Sequence, residues 1–86
     1  MPLFRVWEIV DDKIDGTNYR DVQTSDAQRA AWLAYCESAG LMPDNGRGVT
    51  MGAYRVTESL YRVSVRRHDV RLARYQVYVM PQRAKR

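Results

Sequence analysis

From Ala53 the chain takes up a period of two, which slips near Ala73-Arg74. Apolar side chains recur at every second position and arginines fill many of the places between, as in "LYRVSVRR" (60–67) and "YQVYV" (75–79). That period puts one set on each face of a pleated strand, and a content of valine and tyrosine suits strands better than helix. The stretch predicts three strands, "AYRVT", "LYRVSVRR" and "VRLARYQVYVM", joined at Glu58-Ser59 and His68-Asp69. A helix through "TESLYRVSVRRH" is the competing reading, and it leaves the alternation unused.

Registers follow from the turns. A two-residue turn at Glu58-Ser59 sets Val56 opposite Tyr61 and Tyr54 opposite Val63 on one face, with Arg55 opposite Arg62 on the other. Like charges directly opposed are destabilising, and a chain that keeps them suits an anionic partner lying above. Across His68-Asp69, Val65 meets Leu72, but strict pairing then sets Val63 against Arg74. A β-bulge at Ala73-Arg74 restores the phase and returns Tyr75, Val77 and Val79 to the side of Tyr61 and Val63. The polar face then carries Arg55, Arg62, Arg66, Arg71 and Tyr78, with Ser64 and Gln76 among them and Arg74 near the bulge.

Charge divides along the chain in the same sense. Residues 1–49 hold five basic and eight acidic side chains, whereas residues 50–86 hold nine basic and two acidic, so a net charge of +4 combines −3 with +7. Such a division suits a polyanionic partner. The alternative is that positive charge only keeps the domain in solution.

Upstream, "LFRVWEIV" (3–10) reads as a strand with neighbours or cover on both faces. Asp15-Gly16 is a hairpin signal, because a type I′ turn needs positive φ at both central residues. A turn there makes a hairpin of residues 3–14 and 17–23, with Asp11 opposite Arg20 and Ile9 opposite Val22. "SDAQRAAWLAYCESAG" predicts a helix over 26–39. Ser25 is its cap, Gln28 completes a capping box, Asp26 meets the positive N-terminal end and Gly40 ends it. Ala27, Ala30, Ala31 and Ala34 form a small-residue face for close approach to a sheet. Trp32, Tyr35, Cys36 and Ala39 form a second apolar face, either covered by loops or the sheet edge or open as a protein or homodimer interface.

Residues 41–52 read as a glycine-rich loop. Its "NGRG" is a candidate anion nest but not a P-loop, since no Gly-Lys-Ser/Thr follows. The fold expected is α+β, an antiparallel sheet in the order β-β-α-β-β-β with one helix packed on one face. It spans residues 1–80, followed by a basic, disordered tail over 81–86.

Eighty-six residues make one small domain. One cysteine, Cys36, allows no internal disulfide, which suits a reducing cytoplasm. The N-terminus lacks a signal-peptide pattern, and no apolar run is long enough to span a membrane. No Cys or His pair has metal-ligand spacing, and Cys36 with His68, the one histidine, is no nucleophile motif. Asp11, Asp12 and Asp15 flank a turn without the spacing of a calcium loop. No cofactor, metal or catalytic residue is therefore expected.

The arginine face is the constellation with a physical task. Forked guanidinium hydrogen bonds suit phosphates; a two- or three-stranded ribbon fits a DNA major groove, and a sheet face supports RNA. The leading expectation is a non-enzymatic nucleic-acid-binding domain using Arg55, Arg62, Arg66, Arg71, Arg74 and Tyr78. No sequence-reading motif accompanies it. A second expectation is a small prokaryotic or phage regulator or inhibitor that docks on an acidic protein surface, with Trp32, Tyr35 and Cys36 as a further interface. A third rests on "GAYRV" (52–56) and the arginine-rich strand after it, which are similar to RelE-type toxins. That resemblance implies a ribonuclease, although such toxins open with paired helices and one helix fits here.

Overall fold

The computed structural model describes residues 1–44 and 46–81. Its elements run β1 (Leu3–Val10), β2 (Lys13–Gln23), α1 (Ala27–Ala39), β3 (Val49–Arg55), β4 (Leu60–Arg67) and β5 (Val70–Val79). The five strands form one sheet in the order β2-β1-β5-β4-β3, antiparallel throughout. The helix packs on one face and leaves the other bare. The expected α+β architecture is the one observed, and residues 57–68 are not helical. The order places the N-terminal strand against the C-terminal one, with Phe4 opposite Val79 and Val6 opposite Val77.

The core lies between helix and sheet. Phe4, Val6, Val63, Val65, Tyr75 and Val77 rise from the sheet, and Ala27, Ala30, Ala31 and Ala34 descend from the helix. The small alanine side chains let the helix axis sit close, so that Ala30, Ala31, Val65 and Val77 are fully excluded from water.

Four local expectations require correction. The first hairpin turns at Asp11-Asp12, whose φ values of 52° and 62° suit a type I′ turn, not at Asp15-Gly16. Consequently Asp11 does not face Arg20: Arg20 stands opposite Val6 and bridges to Glu37 of the helix at 2.6 Å. Nor does Ile9 face Val22; Val22 lies opposite Phe4, where both join the core. Asp15-Gly16 instead lies in a bulge, where Glu8 alone stands opposite Asp15–Asn18. Asp15 Oδ1 there accepts from the backbone N–H and the hydroxyl of Thr17. The local turn chemistry is real, but core burial of Val22 places the hairpin elsewhere.

The helix is capped by Asp26, whose carboxylate accepts from Arg29 N at 2.8 Å, not by Ser25. Gln28 closes no capping box and donates to Met51 O of β3. Gly40 ends the helix at φ 71°, as expected. The β4–β5 hairpin turns at His68-Asp69 (φ 49° and 67°), again as expected. Its bulge falls at Leu72, where the register shifts beyond Val65–Ala73, slightly before the expected Ala73-Arg74. The consequence is the one foreseen: Val63 faces Tyr75 and Tyr61 faces Val77.

The fourth correction bears on the site. The β3–β4 connection is a three-residue loop, Thr57–Ser59, closed by Val56 N donating to Leu60 O at 2.7 Å. A two-residue turn was expected. One residue changes the parity of the register, and every side chain of β3 exchanges faces. Tyr54 therefore stands opposite Arg62, on the bare face, while Arg55 stands opposite Tyr61, on the helix side.

Candidate functional site

The bare face of the sheet can be read row by row from the strand registers. One row crosses all five strands: Tyr19 on β2, Trp7 on β1, Gln76 on β5, Arg62 on β4 and Tyr54 on β3. On one side of it lies Asp21–Arg5–Tyr78–Leu60. On the other lie Arg74–Ser64–Gly52 and then Arg71–Arg66–Thr50. Five of the six residues expected on this face, Arg62, Arg66, Arg71, Arg74 and Tyr78, are brought together here. Arg55 is not, for the reason of parity given above. The opposed like charges are therefore Arg66 and Arg71, not Arg55 and Arg62.

Two arginines of the face are held by the fold. Arg5 makes a two-pronged bond to Asp21, at 2.8 and 3.1 Å, and lies 4.0 Å above the ring of Tyr19. Hydrogen bonding from Arg5 holds the Asp21 carboxyl below its usual range. Arg74 reaches Asp12 of the first turn at 2.9 Å. By contrast, Arg62, Arg66 and Arg71 have no ion-pair partner among the described residues, and Arg62 Nε is enclosed without a hydrogen-bond partner.

Aromatic rings stand among these cations. Trp7 donates its indole N–H to Gly16 O in the β2 bulge and lies 6.2 Å from the Tyr19 ring, inclined at 57°. Tyr54 is 62% exposed on the outermost strand. The short side chains of Ser64 and Gly52 keep the floor low beside it, and a Cβ at Gly52 would meet nothing within 4 Å.

Trp7, Arg5 and Tyr19 were missed because β1 reads as apolar on both faces. Arg5, set between Leu3 and Trp7, is the signal that this side meets water. Tyr54 was missed because its face depends on the length of one loop.

The second apolar face of the helix is covered by the chain itself. Trp32 and Cys36 are 3% and 2% exposed. The loop after the helix closes over them: Trp32 Nε1 donates to Pro43 O at 2.8 Å, Cys36 Sγ lies 3.9 Å from Met42 O, and Gly46 packs against the indole. Tyr35 is half-buried and stacks on Trp32 at 5.9 Å. The interface expected at Trp32, Tyr35 and Cys36 is thus largely internal packing, and no partner reaches Trp32 or Cys36 without displacing the loop.

Burial also pushes the Cys36 thiol up, away from the thiolate a nucleophile needs. His68 packs at the far turn against Gly48. Among the described residues, no three His, Cys, Asp or Glu side chains gather to hold a metal, and no helix is long and apolar enough to cross a membrane. The anion nest expected at 45–48 rests partly on Asn45, which lies outside the described residues, as does the tail from 82 to 86. No protein-family model, curated protein or solved structure matches this chain.

Proposed function

We propose that the chain is a non-enzymatic nucleic-acid-binding domain that holds phosphate backbones on the bare face of its sheet. The observation that carries this reading is a set of three arginines, Arg62, Arg66 and Arg71, on one broad surface, with no ion-pair partner among the described residues. Setting Arg66 directly opposite Arg71 costs stability, and a phosphate between the two guanidinium groups offsets it through forked, charge-assisted hydrogen bonds. The rings among the arginines favour a nucleic acid over an acidic protein surface, because bases offer π faces that carboxylates lack.

Salt titration of binding to a mixed-sequence oligonucleotide tests the reading. Three phosphate contacts give a slope of log K against log salt of roughly −2 to −3, and replacing one of the arginines lowers its magnitude by somewhat under one. Arg62→Glu and Arg66→Glu are expected to weaken binding strongly. Arg29→Glu, the same change of charge on the exposed helix, is the control and is expected to do little. Absence of binding at low salt, or equal losses from all three variants, overturns the proposal.

A further inference from the structure

The proposed phosphate binding leaves open which form of nucleic acid the face accepts, and the geometry favours one. The sheet is continuous over five strands. At the usual spacing of about 4.8 Å its outer strands lie about 19 Å apart. A major groove is about 12 Å wide, so this face cannot enter it as a ribbon would. It is a platform, and its central row, read from β1 to β3, runs Trp7, Gln76, Arg62, Tyr54. The row thus alternates π surface with polar and cationic groups over about 14 Å.

A duplex has little use for that order. Its bases are stacked on one another at about 3.4 Å per step and present no free faces. Trp7 and Tyr54 stand three strands apart, and even the neighbouring rings of Trp7 and Tyr19 are 6.2 Å from centre to centre. Rings so placed take bases only from a strand that has unstacked and extended. Tyr19 has Arg5 over its ring, which leaves Tyr54, exposed at the edge strand, and Trp7 as the stacking surfaces of the central row, with Tyr78 in the row beside it. Arg62 is the cation next to Tyr54 in the row, and the low floor at Ser64 and Gly52 gives a backbone room to pass toward Arg66.

We infer, on the basis of the phosphate-binding reading, that the ligand is a single strand whose bases stack on Tyr54 and Trp7 while the backbone between them lies on Arg62. Stacking on an aromatic side chain is tolerant of sequence, so the inference carries no base preference.

The test compares single-stranded DNA, single-stranded RNA of the same sequence, and the DNA annealed to its complement, by fluorescence anisotropy at low salt. At least one single strand is expected to bind more tightly than the duplex. Tyr54→Ala weakens that binding by about 5- to 150-fold, the range for loss of one stacked base, and Tyr54→Phe retains it. Tryptophan emission supplies an independent readout. Trp32 is enclosed beneath the loop, so quenching on binding reports Trp7 and disappears in Trp7→Phe, while the anisotropy change persists. Preference for the duplex, or an unchanged affinity in Tyr54→Ala, overturns the single-strand inference and leaves the phosphate-binding reading standing. Absence of binding to all three probes overturns both.

Discussion

Tyr75 shows how far this small core excludes water. It sits on the helix side of β5 opposite Val63, is 3% exposed, and has Glu8 opposite it on β1. Burial, with a smaller contribution from the Glu8 charge, pushes its phenol well above the ordinary value of 10.0. The sign of the effect on stability follows. Below pH 10 the phenol is protonated in both states, and its contribution is fully present. Above that value the unfolded chain releases the proton and the folded one retains it, so stability falls as pH rises, by up to about 1.4 kcal/mol per pH unit from this one group. Urea melts across this alkaline range are therefore expected to show a shallower loss of stability in Tyr75→Phe than in the wild type. Identical slopes would mean that the phenol ionises equally in both states. Gly48 makes a complementary point about space. Its φ is 74°, which favours glycine, and a Cβ there would stand 2.7 Å from ring atoms of the exposed His68, which would have to swing aside.

Among the elements, the helix and the β3–β4 loop carry the two clearest lessons. The first turn of α1 has Ser25 and Asp26 as competing caps, and local sequence favours either. The hydrogen bond from Arg29 N selects Asp26. Asp26→Ala is expected to lose about 0.5–2 kcal/mol in a denaturant titration, and Ser25→Ala appreciably less; the reverse order would restore the capping box. The loop matters for the site. Thr57–Ser59 holds one residue more than a two-residue hairpin turn, and that residue decides whether Tyr54 or Arg55 joins the arginines. Strand identity in this region was legible from the alternation of valine with arginine. The face of β3 was not, since "VTES" carries no glycine or asparagine to fix its turn type.

At the scale of the whole molecule, Met42, Pro43 and Gly46 of the loop after the helix, together with the first strand, complete what the helix and hairpins begin. Trp32 fills the space beneath that loop and bonds to its backbone. Removing a buried aromatic of this kind costs about 3–5 kcal/mol, against about 5–15 kcal/mol of total stability for a native domain. Trp32→Ala is thus expected to lower the thermal midpoint severely or to unfold the chain. A variant that melted like the wild type would return Trp32 to the list of surface residues.

Sequence by itself determined the number, kind and order of the elements, the antiparallel class, the single helix with its alanine face, the turn at His68-Asp69 and the gathering of Arg62, Arg66, Arg71 and Arg74 on one side of a β4–β5 hairpin. These rest on local periodicity and turn chemistry, which a short window contains. Sequence did not place the start of β3, which lies at Val49, inside the stretch that reads as loop. The tertiary structure alone decided that β1 lies against β5, and so that Trp7, Arg5 and Tyr19 extend the arginine face across β1 and β2. It also decided that Trp32 and Cys36 lie inside. Pairing of residues more than 60 positions apart, and coverage of one apolar stripe by a distant loop, are settled by competition among burial options over the whole chain, and no local pattern records the outcome.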